Sequence, residues 1–244
     1  MTSRSPIAFD DTEVAFEARS VKELRRAYWL YKALGSPWLA AMGPKLLLAA
    51  VRIHLPVEGI VRATIFQQFC GGESIDGCHG TISDLARFNI GTILDYSVEC
   101  KESEEDFDRT RDEMLEIIAH AAEDPNIPFA VFKVTGLGRF GLLEKLQSGE
   151  QLSEDEEAEW AHVRGRVESI CEAGSLAAVP VLIDAEESWI QGAIDALVAE
   201  MMARFNGEAV IVYNTVQMYR ADRLDFLKSC LAQAKIDGYR VGVK

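Results

Sequence analysis

Basic charge is in short supply. The chain has 25 Lys and Arg against 39 Asp and Glu, a formal net charge of −14 at pH 7. No basic block offsets that excess, so charge gives no support to non-specific binding of DNA, RNA or anionic lipid. Cysteine is sparse and irregular: Cys70, Cys78, Cys100, Cys171 and Cys230 make an odd number, with no C-x-x-C pair. Cys78 and His79 are neighbours without a second pair of ligands, which excludes a structural zinc site. A disulfide framework is excluded too, and a reducing compartment, cytosol or mitochondrial matrix, is expected. The opening residues "MTSRSPIAFDD" contain no apolar core of a secretory signal. The longest apolar candidate, "KLLLAAVRIHL", is interrupted by Arg52 and His54 and falls short of the roughly 20 residues a membrane span needs. G-x-S-x-G and G-x-x-x-x-G-K-[ST] are both missing, so serine-hydrolase and P-loop chemistry have no foothold. The four histidines, His54, His79, His120 and His162, are dispersed.

What is present describes an ordinary globular chain: 244 residues, 48% hydrophobic and 26% charged. That length suits one large domain or two small ones. Much of the acid lies in two runs, "CKESEEDFD" and "SEDEEAEW", which read as helix starts or solvated helix faces. Residues 1–66 read as a helical arm. "DTEVAFEARSVKELRRAYWLYKAL" has helical spacing with a capped start at Asp10 and Glu13. Shorter helices should follow, punctuated by Gly35, Pro37, Gly43 and Pro44. Trp29, Trp38 and Trp160 read as helix-packing residues, and Trp189 as a ligand or packing residue. A packed arm is expected here, and an amphipathic helix on a membrane surface is the second reading.

Residues 67–244 alternate between strand and helix. Strand-like runs occur at "QFCGGE", "GTILDYSVE", "PFAVFKVTG", "VPVLIDAEES", "EAVIVYNTVQMY" and "YRVGVK". Helical segments separate them near 81–89, 105–122, 153–174, 189–205 and 221–236. Strands apolar on both faces and alternating with helices predict an α/β fold with a parallel sheet, doubly wound or closed as a barrel. The C-terminal ends of those strands carry Asp95 and Glu99, Lys133 and Thr135, Asp184 and Glu186, and Asn214 and Gln217. In one parallel sheet these ends share a face. Buried charge must be paired or solvated, so the groups should converge on a polar mouth. Capping of the next helices is the alternative for any one of them.

One stretch imitates a dinucleotide fingerprint. "VTGLGRFG" places Gly136, Gly138 and Gly141 in G-x-G-x-x-G spacing after a strand, which would make an NAD-binding module. Its context is wrong: the expected second strand, ending in an acid about 20 residues on, is replaced by the polar helical stretch "LLEKLQSGEQLSEDEEAEW".

"TILDYSVE", "FKVTGLGRF", "VLIDAEESWIQ" and "VYNTVQMYRADR", in that order, resemble the proline dehydrogenase family, and "FQQFCGGE" with the helical arm resembles its stand-alone bacterial and mitochondrial branch. The resemblance implies a (β/α)8 TIM-type barrel, present in part as about five and a half units. It implies non-covalent FAD, oxidation of L-proline to Δ1-pyrroline-5-carboxylate, and transfer of electrons to a quinone at a membrane. Cytoplasmic location with peripheral contact to the inner membrane is the matching expectation. On this resemblance Asp184, Lys133 and Glu186 are catalytic, with Glu186 holding Lys133 by charge pairing. Ala185, Thr215, Gln217 and Lys244 face the flavin, Lys244 standing where many members have arginine. Lys133, Asp95 and Glu99 face the substrate, Glu99 as a gate residue paired with an arginine. The hydride chemistry belongs to the flavin, and the protein contributes orientation and electrostatics. The family's barrel continues beyond "DGYRVGVK" into a flavin-binding motif and two further β/α units, so this stretch is expected to be a fragment inactive on its own.

Overall fold

A computed structural model describes residues 10–95 and 102–244. The chain forms two compact units, Met1–Asn89 and Ile90–Lys244.

The first unit is helical: α1 (Thr12–Phe16), α2 (Val21–Leu34), α3 (Pro37–Arg52), α4 (Glu58–Val61), α5 (Gln67–Phe69) and α6 (Ile75–Ala86), with a π turn over Arg62–Phe66. Asp11, one residue after the expected Asp10, caps α1 by accepting from the Glu13 and Val14 N–H groups. Ser20 and Glu23 form a reciprocal capping box that starts α2. α3 runs unbroken through Gly43 and Pro44, against the expectation of shorter pieces. Proline removes one helical hydrogen bond, and here the residue whose carbonyl loses its partner, Ala40, is solvent-exposed. The Leu- and Ala-rich run that follows is strongly helix-forming. "QFCGGE" is not a strand: it ends α5 and turns towards α6, its apolar run too short to pair. Trp29 and Trp38, expected to pack, are 63% and 65% exposed.

The second unit alternates. In chain order it holds β1 (Leu94–Asp95), α7 (Glu104–Glu123), β2 (Ala130–Phe132), a 3-10 turn (Val134–Gly136), α8 (Phe140–Ser148) and α9 (Glu154–Ala177). β3 (Val181–Ile183), α10 (Gln191–Phe205), β4 (Val212–Asn214) and α11 (Arg223–Asp237) follow. The strands pair in the order β1-β2-β3-β4, all parallel. A parallel bridge from Asn214 to Val243 adds the final stretch beside β4. Consecutive parallel neighbours joined by helices are the arrangement of an arc of a β/α barrel.

Alternation along each strand gives the sheet two distinct faces. Ala130, Phe132, Val181, Ile183 and Val212 are buried against the helices. α7 packs on β2, α9 on β3 and α10 on β4, and Phe107 and Met114 of α7, Val167 and Ile170 of α9, and Ile194 and Val198 of α10 are buried as well. Val131, Leu182 and Tyr213 face the other way, where the Tyr213 ring meets Phe129 edge-on at 5.4 Å. At the start of β4 the buried Asn206 acts as a clasp. Its carboxamide accepts from the Ile211 and Val212 N–H groups and donates to the Val212 and Arg240 carbonyls, while its own carbonyl accepts from the Arg240 N–H.

Candidate functional site at the strand ends

Register builds the site. Phe132, Ile183 and Asn214 are Cα partners across β2, β3 and β4, and Asn214 bridges Val243. The next residue on each path is Lys133, Asp184, Thr215 and Lys244, so all four stand in one row at the C-terminal edge. By alternation they share the sheet face of Val131 and Leu182, away from the helices. Asp95 pairs in register with Val131 and is exposed at the end of β1. Glu99 lies outside the described residues.

Asp184 is the hub of the row. Its Oδ1 accepts from the Thr215 hydroxyl at 3.1 Å, the Lys244 ammonium at 2.9 Å and the Ala185 N–H at 3.2 Å. Lys244 is itself held by the sheet, its N–H donating to the Asn214 carbonyl and its carbonyl accepting from Val216.

Glu186 forms a second centre two residues on. Its carboxylate accepts from the Thr135 N–H at 3.1 Å and from the Thr135 hydroxyl. Burial pushes its carboxyl above the ordinary value of 4.5, the Thr135 hydrogen bonds opposing that and neighbouring Glu187 adding to it. The expected Lys133–Glu186 ion pair is not made among the described residues: Thr135, on the 3-10 turn two residues after Lys133, reaches the carboxylate instead. Lys133 acts on Glu186 only through its charge, a weak pull towards the ionised form.

Gln217 is buried, and both ends of its carboxamide are engaged. Nε2 donates to the Glu186 carbonyl at 2.6 Å, and Oε1 accepts from Arg220 at 3.2 Å. Behind the sheet, the Glu186 N–H donates to Gln191, and Gln191 donates to Asp195, an acid also bound by Asn214 and Arg223. Gln191, Asp195, Arg220 and Arg223 were missed in the sequence reading. Asp195 inside the apolar helix "IQGAIDALVAEMM" carried a signal, since a buried acid needs a partner.

The glycine triplet serves packing. A Cβ on Gly138 would lie 2.4 Å from Val163 Cγ2 of α9, and one on Gly136 would lie 3.3 Å from Thr110 Cγ2 of α7. These glycines let the turn approach two helices, so a phosphate cradle is not favoured.

The profile of the proline dehydrogenase family matches residues 78–244. The chain belongs to the proline dehydrogenase family. It is 32% identical to the carbapenem antibiotics biosynthesis protein CarD of Pectobacterium carotovorum, over 77% of this chain and 50% of that protein. It is 27% identical to the mitochondrial proline dehydrogenase 1 of Dictyostelium discoideum, over 96% of this chain and 48% of that protein. The chain thus spans about half the length of the curated relatives it matches. Among solved structures, proline utilization A from Bdellovibrio bacteriovorus superposes with a TM-score of 0.62 at 16% identity, over 99% of this chain and 26% of that one. At that identity the likeness speaks for the α/β fold, which agrees with the parallel strand order.

Proposed function

We propose that this chain carries the strand-end half of an FAD-dependent proline dehydrogenase site. The observation that supports it most is the row Lys133, Asp184, Thr215 and Lys244, with Glu186 held beside it. The donor set suits an acceptor-rich flavin: two ammonium groups and a hydroxyl stand on one edge, with the Ala185 backbone next to them. Lys133, Ala185, Thr215, Gln217 and Lys244 would hold the cofactor, which when bound accepts the hydride from substrate.

The protein's own part is orientation and proton placement. A cyclic secondary amine must be neutral before the adjacent ring carbon can release hydride, so the mouth must accept a proton at or near the amine. Glu186, with its affinity for protons raised by burial, and Asp184, which gathers Thr215 and Lys244, are the acids placed to do so. Lys133 and Asp95 face the substrate in this reading, with Glu99 as gate.

The electron acceptor is a quinone, and the first unit makes peripheral contact with the inner membrane from the cytoplasm. Exposed Tyr28 and Trp29, with the Lys32 ammonium over both rings at 5.7 and 5.0 Å, support that contact, since aromatic and basic side chains suit a headgroup layer. No single described helix is long and apolar enough to cross a membrane. The α2–α3 pair reaches that length and composition only together, bent by 96°.

The test is a visible spectrum during FAD titration of this chain, followed by L-proline and a reducible dye. Flavin colour bleached by proline supports the reading. Absence of FAD binding would overturn it.

A further inference from the structure

Glu186 is gripped at every polar group it has. Its side chain takes the Thr135 hydrogen bonds, its carbonyl accepts from Gln217, and its N–H donates to Gln191 Oε1 at 2.9 Å. A carboxamide has an acceptor end and a donor end, and nothing in Gln191 itself decides which one faces Glu186. Asp195 decides it. Its Oδ1 accepts from Gln191 Nε2 at 3.0 Å, which turns the Gln191 oxygen towards the Glu186 N–H. The same Oδ1 accepts from Asn214 Nδ2 at 2.9 Å, and Oδ2 accepts from Arg223 at 2.6 Å. Gln191 is fully buried, and Asp195 and Arg223 are 5% and 4% exposed, so water is not at hand to replace a lost partner.

We propose that Asp195 is a positioning residue: from the helical layer behind the sheet, it fixes the orientation of Gln191 and so holds Glu186 in place on the site face. Three elements report to this one carboxylate: Gln191 from its own helix, Asn214 from the end of β4, and Arg223 from the start of α11. The post-β3 loop and the end of β4 therefore share one anchor, although their site residues face the opposite side of the sheet. An acid is required because every partner of Asp195 is a donor. An amide in its place keeps its oxygen towards the cationic Arg223 and turns its NH2 towards Gln191 and Asn214 together. Asn214, whose Oδ1 has no partner among the described residues, can turn without loss, but Gln191 can turn only by breaking its bond to Glu186.

The inference rests on Glu186 belonging to the proposed site, but its test needs neither cofactor nor turnover. Amide hydrogen exchange at Glu186 is measured in the wild-type chain, in Asp195→Asn, in Arg223→Gln and in the exchanged pair Gln191→Glu/Asp195→Asn. Losing one buried hydrogen bond should speed exchange at Glu186 about tenfold in Asp195→Asn, relative to amides of the α10 core. Arg223→Gln lowers global stability but leaves Gln191 oriented, so that ratio should hold. In the exchanged pair, the new amide at 195 can donate to the new carboxylate at 191, whose second oxygen again accepts from Glu186, so protection should return. If Arg223→Gln exposes Glu186 as much as Asp195→Asn does, or if the exchanged pair restores nothing, Asp195 is only the counter-ion of Arg223 and the proposal fails. Should Asp195→Asn not fold, the exchanged pair and Arg223→Gln decide by the same ratio. Loss of FAD binding with Glu186 still protected would count against the function and leave this inference standing.

Discussion

Replacing Gly138 with alanine adds one methyl group where there is no room for it. The new Cβ would stand 2.4 Å from Val163 Cγ2, inside any carbon–carbon contact, and a tight 3.3 Å from Cγ1, and Val163 is itself only 1% exposed. Either Val163 leaves its rotamer or α9 backs away from the turn. Overpacking of that kind costs about 1–3 kcal/mol. For a unit of this size each kcal/mol moves Tm by about 2–4 °C, so Gly138→Ala should lower it by roughly 2–12 °C. Val163→Ala alone removes two methyl groups and should cost about 1.5–2.5 kcal/mol through lost transfer energy and the cavity left behind. Together the two changes should cost little more than Val163→Ala alone, because the added methyl enters the space the valine vacates. The non-additivity, of about 1–3 kcal/mol, is read from a double-mutant cycle of urea melts followed by far-UV circular dichroism. Additive losses would show that Gly138 is not there to admit Val163. Unchanged stability with loss of a bound dinucleotide would revive the fingerprint reading.

Glu186→Gln keeps the Thr135 contacts while removing a carboxyl whose affinity for protons is raised by burial. A raised carboxyl favours the folded state at pH below its ordinary value of 4.5, and that contribution is lost as pH rises through the folded value. Each tenfold difference in proton affinity between the folded and unfolded chain is worth about 1.4 kcal/mol. The variant should therefore be more stable than wild type at pH 8 and converge with it near pH 4, and a stability gap that widens on acidification would contradict this. Asp195→Ala strands Arg223 in a buried position and should cost about 3–5 kcal/mol, only part of it recovered in Asp195→Leu/Arg223→Met because the buried Gln191 and Asn214 carboxamides still lack their acceptor, as denaturant midpoints would record. Asp184→Asn loosens the hub that holds Thr215 and Lys244, so FAD binding followed by flavin fluorescence should weaken about tenfold, and an unchanged Kd would remove Asp184 from the cofactor site.

The parallel sheet was legible because its strands are apolar on both sides and each is followed by a periodic helix. The convergence of Lys133, Asp184 and Thr215 followed from that, since strand ends in a parallel sheet share a face. The first unit was harder to read. "QFCGGE" has a strand-like composition but too few apolar residues to commit it, and Gly43–Pro44 looks like a break although one lost bond at an exposed position is tolerable. Within the site, residue types were legible and pairings were not. The resemblance implied Lys133 as the charge partner of Glu186, whereas the 3-10 turn brings the Thr135 N–H and hydroxyl there. Asp195 escaped notice because its partners are 4, 19 and 28 residues away and belong to three elements.

The clasp made by Asn206 has a consequence at a distance. It grips β4 and the final stretch at the end of the sheet remote from the site, tying Val212 to Arg240. Four residues beyond Arg240 on the same extended path stands Lys244, whose ammonium reaches Asp184. A strand is nearly inextensible, about 3.3 Å per residue, so fixing one end sets where the other end stops. Asn206 thus works as a length gauge: it determines that the residue arriving opposite Thr215 is Lys244 and not Val243. A single residue inserted between Arg240 and Lys244 would bring the wrong side chain to that place and turn the ammonium towards the helices, leaving every residue of the site unchanged in identity and the row broken.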